Sequence, residues 1–316
     1  MTLLLSESET ASLLSMKEVV PAIEESFRQQ ALGNSINTPR TKNYARGSRL
    51  STMPGTLTYL GRAGVKSYIS TRNGTAFLFT LFDASTNAPL AVMGAGYLGK
   101  YRTGAASAVA TKFLSGLREF RFGVAGAGGQ ALTQVLALRE VAELSRVSVW
   151  SRNKERRERL AKLLSKEYGL EASPVQEVGD AFRGSQVATT ITSAVEPFVT
   201  EGAIADVRHM NVCGSNEPDH AELTPSAVAK FRSVCVDDLA ESKIESGDLI
   251  MAMKSGDFSW DKAFELKDVV GGRVNPAPKT LFKSNGVAIE DVAVASLVYE
   301  KALKSGAEHN TFDFTE

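Results

Sequence analysis

The sequence predicts an α/β fold: a doubly wound parallel sheet of the Rossmann type, preceded by an α+β region. Three observations carry this. Residues 121–125, Arg-Phe-Gly-Val-Ala, read as a short buried strand, and Gly126-Ala127-Gly128-Gly129-Gln130-Ala131 after it is a G-x-G-x-x-A turn leading into a helical run to Leu144. From Arg146 to Asp237 strand-like and helical runs alternate, the rhythm of parallel strands joined by crossover helices. Between Asn37 and Ser85 the text is instead short alternating runs with Thr and Tyr, broken by Arg-Gly, Pro-Gly and Asn-Gly pairs, which reads as antiparallel sheet with turns.

Taken in order, Ser6–Leu14 and Ser15–Gly33 read as two helices. In the second, Ser15 and Glu18 form a capping box, Val19, Val20, Ile23 and Phe27 recur at helical spacing, Pro21 falls near the start, and Gly33 is a stop. Pro89–Met93 is a further strand. Thr103–Leu117 is an alanine-rich helix with Thr103 as N-cap and Arg102 directly before it. Beyond the glycine turn come a strand at Arg146–Trp150, a charged helix at about 154–168, a strand at 170–174 and a short helix at 176–183. Strands follow at Gln186–Thr192, Met210–Cys213 and Ser233–Asp237. Lys279–Lys283 leads into Ser284-Asn285-Gly286, a closing helix covers Val287–Lys304, and the last ten residues read as frayed.

At 316 residues the chain is long enough for two cores, and 43% hydrophobic with 23% charged residues is ordinary globular composition. Thirty-six basic residues balance thirty-six acidic ones, so no overall field favours nucleic acid or a membrane, and no apolar run is long enough to span one. This predicts a cytoplasmic protein. Cys213 and Cys235 lie in apolar strand-like runs and read as reduced core residues. With the histidines scattered at 209, 220 and 309, no metal site is predicted.

The glycine turn fits a dinucleotide, whose pyrophosphate rests on a helix N-terminus approached closely by backbone, and this nominates Gly126, Gly128, Gly129, Gln130 and Ala131. An NAD site usually places an acid after the second strand to bond the ribose 2′-hydroxyl. Here stand Ser151-Arg152-Asn153-Lys154, with Arg156 and Arg157 close behind, so the pocket is expected to prefer NADP(H) over NAD(H). Thr190 and Thr192 end a strand at the carboxyl edge, where ligands of such sheets lie. Three cations stand outside helix faces: Arg40, Lys66 and Arg102. If they converge, two guanidiniums hold a carboxylate while a lysine with a lowered pKa moves a proton. The spacing leaves open whether they do.

The glycine turn, Met53-Pro54, Ala63-Gly-Val-Lys66, Leu90-Ala-Val-Met, Arg102-Thr-Gly-Ala-Ala and Gly286-Val-Ala-Ile-Glu-Asp291-Val-Ala-Val-Ala together resemble the ornithine cyclodeaminase/mu-crystallin family over nearly the whole chain. The resemblance implies a homodimer in which a Rossmann domain is inserted before the last helix returns to the dimerisation domain. Residues 1–117 and 287–316 then form the substrate and dimerisation domain, and 118–286 the NADP-binding domain. It also implies that Arg40, Lys66 and Arg102 bind a carboxylate, that Thr103 and Gly286 lie near the cofactor, and that Asp291 is the acid of the closing motif. Three departures bear on the reaction. Asn216 stands where cyclodeaminases carry an aspartate base, and an amide takes no proton. Ser51 replaces an arginine of alanine dehydrogenase relatives, and Met93-Gly94-Ala95 replaces Met-Asp-Ala. These count against ornithine cyclisation and strict alanine specificity. The expected function is an NAD(P)H-dependent oxidoreductase of a small 2-imino or 2-amino acid, of the cyclic ketimine reductase or amino acid dehydrogenase type. Arg40 and Arg102 hold its carboxylate, Lys66 manages the proton, and Asn216 and Asp291 complete the substrate site. The alternatives are an ornithine cyclodeaminase and a mu-crystallin-like protein that binds NADPH and a small ligand without turnover.

Overall fold

The computed structural model describes residues 1–314, in two compact units: Met1–Arg102 with the segment from Gly286 onward, and Thr103–Asn285. The first begins with strand β1 (Thr2–Leu5) and helices α1 (Glu7–Ser12) and α2 (Met16–Ala31). Five strands follow, β2 (Ser35–Asn37), β3 (Thr41–Ala45), β4 (Ser48–Leu57), β5 (Arg62–Thr71) and β6 (Gly74–Asp83), then β7 (Pro89–Gly94) and helix α3 (Gly96–Ser115). The antiparallel reading of 37–85 holds, with Met53 paired to Lys66 and Lys66 to Phe79 across β4, β5 and β6.

Two local expectations are corrected, and one strand is new. Leu3-Leu4-Leu5 is a strand, pairing in parallel with β7, which a run of three leucines without alternation does not announce. The capping box belongs to α1: Ser6 Oγ accepts from Glu9 N, and Glu9 Oε2 accepts from Ser6 N at 2.8 Å. Ser15 caps α2 without a side-chain bond, and Glu18 instead pairs with Lys301 at 2.6 Å. Helix α3 starts at Gly96, so Arg102 and Thr103 lie inside it and Thr103 is no N-cap. The N–H groups of Gly96 and Tyr97, in the first turn, donate to the Glu7 carboxylate at 2.6 and 3.2 Å. A Cβ on Gly94 would stand 2.7 Å from Glu7 Cγ, so glycine at 94 goes with a carboxylate supplied from elsewhere.

The second unit is the doubly wound sheet: β8 (Glu119–Ala125), α4 (Ala131–Arg139), β9 (Glu143–Trp150), α5 (Lys154–Tyr168), β10 (Ala172–Val175), α6 (Val178–Phe182), β11 (Val187–Thr190) and β12 (His209–Val212). Then come α7 (Pro225–Val228), β13 (Ser233–Val236), α8 (Leu239–Glu245), α9 (Gly247–Ser255), β14 (Ala263–Glu265), α10 (Leu266–Val270) and β15 (Thr280–Lys283). The strand order is β10-β9-β8-β11-β12-β15-β13-β14, with every pairing parallel. Strands β11, β12, β13 and β15 are buried at every position, as both-face coverage requires. The order reverses between β8 and β11, the place where such sheets open a crevice. The boundary falls at 102/103 rather than at 117/118 because the rest of α3 bonds to this sheet. Asn211 donates to Thr111 at 3.0 Å, Thr280 donates to the Leu114 carbonyl at 3.3 Å, and Ser107 Oγ lies 3.2 Å from Cys213 Sγ. Cys213 and Cys235 are free and buried.

The chain ends in the first unit with α11 (Ala288–Lys304) and β16 (Asn310–Phe312). Residues 310–312 are therefore a strand, paired with β1, where fraying was expected; positions 315 and 316 lie outside the described residues. Helix α11 packs on α2 and on one face of β4, β5 and β6, and its Val292, Val294 and Val298 are fully buried.

Candidate functional site

In the second unit the site is built at the strand reversal. Strand β8 ends at Ala125, and Gly126 adopts φ 132° while its N–H donates to the Trp150 carbonyl at 2.8 Å. A Cβ there would overlap the Ile191 carbonyl, so only glycine lets the turn approach the loop after β11. Gly128 is the opposite case: a Cβ on it would meet nothing within 4 Å, and the space that it leaves lies in front of helix α4. The cavity there holds about 730 Å³ and is lined by residues 126–130, Trp150, Ser151, Arg152, Asn153, Arg156, the loop 191–196, Phe198 and Gly214. Trp150 and Phe198 stack at 5.1 Å. A glycine cradle, a helix start and an apolar and polar lining of this size fit a nicotinamide dinucleotide.

Of the residues nominated for the cofactor, Gly126, Gly128, Gly129, Gln130, Ser151, Arg152 and Thr192 line this cavity. Ala131 opens α4 behind it, and Thr190 is buried inside β11. Thr103 is buried in α3 and is not among the lining residues; Gly286 belongs to the other unit. The cations after β9 divide. Arg152 and Arg156 line the cavity, whereas Arg157 donates to the Ser151 carbonyl at 2.9 Å and Lys154 faces Glu158 at 3.9 Å. Asn216, half-buried, sits two residues beyond Gly214 in the turn after β12. Glu222 is fully buried beside that turn and was not anticipated, since one acid between Ala221 and Leu223 carries no pattern.

In the first unit the three cations converge. Lys66, on the inner face of β5, donates to Asp291 Oδ2 at 2.6 Å. Arg102 Nη1 meets Glu290 Oε2 at 2.9 Å and its Nε lies 3.3 Å from Asp291 Oδ1; Arg40 Nη2 donates to the Gly286 carbonyl at 3.0 Å. All five side chains are buried, with Glu290 and Asp291 at 0% exposure in the first turn of α11, where the helix favours negative charge. Glu290 is the member that sequence reading missed, because an acid in a first turn reads as ordinary helix chemistry. Burial and then the Arg102 charge push the Lys66 amine down to about 8, with Arg40 adding to the fall and Asp291 opposing it. Three cations and two carboxylates are thus packed together out of water. Ser51 and Met53 share the inner sheet face with Lys66 and Tyr68. The arrangement can therefore bind a carboxylate and exchange a proton near neutral pH.

The family model described as "Ornithine cyclodeaminase/mu-crystallin family" matches residues 1–306. The chain belongs to the ornithine cyclodeaminase/mu-crystallin family. The alanine dehydrogenase of Archaeoglobus fulgidus is 34% identical over 318 residues, covering 96% of this chain and 95% of that protein. Among solved structures, the Δ1-pyrroline-2-carboxylate reductase of Thermococcus litoralis in complex with NADH and L-proline is 34% identical, with a TM-score of 0.91 and coverage of 98% of this chain and 100% of that one. An archaeal alanine dehydrogenase dimer with bound NAD is 31% identical, with a TM-score of 0.89 and 99% of both chains covered. This family member thus has full-length relatives on both sides of the imine and amine chemistry.

Proposed function

We propose that the chain is a nicotinamide-dependent oxidoreductase acting on the CH–NH or CH–NH2 group of a small 2-imino or 2-amino acid, of the ketimine reductase or amino acid dehydrogenase type. The observation that carries this is the buried cluster of Lys66, Arg102 and Arg40 around Asp291 and Glu290. Arg40 and Arg102 hold the substrate carboxylate, and Lys66, oriented by Asp291, gives a proton to the nitrogen in reduction and takes it back in oxidation. Residues 126–130 would hold the dinucleotide, which when bound would supply or remove the hydride. An imine gains one hydride and one proton to become an amine.

The solved relatives hold NADH and NAD. For this chain we infer a preference for NADP(H), supported by Arg152 and Arg156 on the cavity wall and by the lack of any acid between Trp150 and Lys154. The two cysteines, buried and unpaired, go with a reducing compartment, the cytoplasm. Asn216 in place of a base speaks against ornithine cyclisation. A steady-state screen of cyclic imines and 2-oxo acids with ammonia tests the reading: net NADPH consumption supports it. Ammonia release from ornithine without net redox replaces it with a cyclodeaminase, and tight binding without turnover replaces it with a carrier.

A further inference from the structure

The loops that follow β11 and β12 are both tied to one buried carboxylate. Glu222, at 0% exposure, accepts from the Thr192 N–H at 2.8 Å and the Thr192 hydroxyl at 2.7 Å through Oε1, and from the Gly214 N–H at 2.9 Å through Oε2. Thr192 and Gly214 both line the dinucleotide cavity. A Cβ on Gly214 would overlap the Glu222 carboxylate, so a larger residue there would displace that side chain from its place between the two loops. Glu222 is seated in turn by Asp248, at the start of α9, whose Oδ1 accepts from the Glu222 and Leu223 N–H groups at 2.7 and 2.9 Å. Asp248 pairs with Lys283 of β15 at 3.0 Å, and Lys283 also donates to the Ser215 carbonyl at 2.8 Å. Two acids and a lysine, all buried, thus hold the turns at 192 and 214–215 from behind. Burying such charges is expensive, and neither hydride nor proton transfer uses them.

We propose that Glu222 is a positioning residue of the dinucleotide site: as a carboxylate with three donors converging on it, it holds the loops after β11 and β12 at the spacing that the bound cofactor requires. This rests on the reading of the cavity as a dinucleotide site. The groups facing Glu222 are Asp248 from α9, Lys283 from β15 and Cys213 from the end of β12; His220 lies nearby, its Nδ1 3.3 Å from Ser215 Oγ. Burial and then Asp248 push Glu222 up to about 7, and Lys283 and the Thr192 hydrogen bond oppose the rise. A proton on the carboxyl puts an O–H where a backbone N–H needs an acceptor, so the clamp loosens on acidification. The fold itself responds in the opposite sense. With the folded pKa above the unfolded one, the folded chain binds more protons between about 4.5 and 7, and this group's contribution to stability rises as pH falls through that window. A carboxylate serving the fold alone would not weaken cofactor binding while relieving the fold.

The test is calorimetric titration of the full chain with NADH, which lacks the 2′-phosphate whose own proton titrates near pH ~6. Wild type is expected to bind about tenfold more weakly at pH 6 than at pH 8, following one ionisation near 7. Glu222→Gln, which offers one acceptor oxygen and turns an N–H toward Gly214, should bind at pH 8 about as weakly as wild type does at pH 6, with no dependence on pH. If that variant does not fold, Thr192→Val serves: removing one donor from the ionised form should raise the midpoint of the wild-type profile. Glu222→Gln binding with wild-type affinity and profile, or Thr192→Val leaving the midpoint in place, overturns the proposal while the dinucleotide reading stands. Wild type that binds neither NADH nor NADPH at any pH overturns both.

Discussion

At the scale of single residues, the cluster around Lys66 makes the sharpest demand. A lysine with its amine near 8 is divided between acid and base at neutral pH, and the two reaction directions need opposite forms. kcat/KM for imine reduction should therefore fall as pH rises through about 8, and that for amine oxidation should rise through the same value. Lys66→Ala, and Lys66→Arg, which keeps charge but not shape, should lower imine kcat/KM by about 100-fold or more while NADPH affinity hardly moves. Asn216→Ala should cost far less, about 1 kcal/mol for one lost hydrogen bond. Asn216→Ala proving as harmful as Lys66→Ala would remove Lys66 from its role. Lys66, Arg40 and Arg102 were legible because each is a cation set in an apolar or turn context, and because their motifs resemble a family. Glu290 and Glu222 were not: each is one acid whose meaning comes from a partner far along the chain, and local pattern holds no record of it.

Among elements, those with strong periodicity were read well. Helix α5 matches its expected span, and the central parallel strands fall within a residue or two of expectation. Elements defined from outside themselves were lost. The first turn of α3, Gly96-Tyr-Leu-Gly99, contains two poor helix formers and is held by Glu7, 89 residues away. Strands β1 and β16 exist because they pair with partners at the opposite ends of the chain. Glu7→Ala should accordingly destabilise the chain by about 1 kcal/mol, the usual worth of a capping acceptor, in urea unfolding with unchanged slope. A change below about 0.3 kcal/mol would show that water caps α3 equally well. The turn from β9 into α5 carries the cofactor prediction. One charge-assisted contact from Arg152 to a 2′-phosphate should favour NADPH over NADH by about five- to thirty-fold in calorimetric titration, and Arg152→Ala should erase most of it. Equal affinities in the wild type would refute the preference.

For the whole molecule, assembly is the open demand of the fold, and the structure moves the argument for it. By sequence, the many short strands of the first region and the apolar residues of the last helix (Val292, Val294, Leu297 and Val298) both suit a subunit interface, but Val292, Val294 and Val298 are spent inside the first unit against the sheet. What that unit leaves exposed is the other face of the same sheet. On β4, β5 and β6 the residues facing away from α11 are Leu50, Thr52, Pro54 and Thr56, then Ala63, Val65, Ser67 and Ile69, then Ala76, Leu78, Thr80 and Phe82. None is charged. A solvent face of an antiparallel sheet normally carries charged side chains, so three adjacent strands without one describe a surface built to be covered. Leu50 stands opposite Ile69 and Leu78 opposite Ser67, and the three apolar side chains are 43%, 45% and 55% exposed in the single chain. We propose a second copy of the chain as the occupant, since a two-fold assembly brings the same patch of both subunits together, and one solved relative is itself a dimer. Light scattering at micromolar concentration should give about twice the chain mass of 33.9 kDa. Ile69→Lys and Leu78→Lys together place two charges at the middle of the patch and should return the single-chain mass, with Lys66 and the cavity residues untouched. A wild-type mass of one chain, or a dimer indifferent to both lysines, would show that this face meets no second copy.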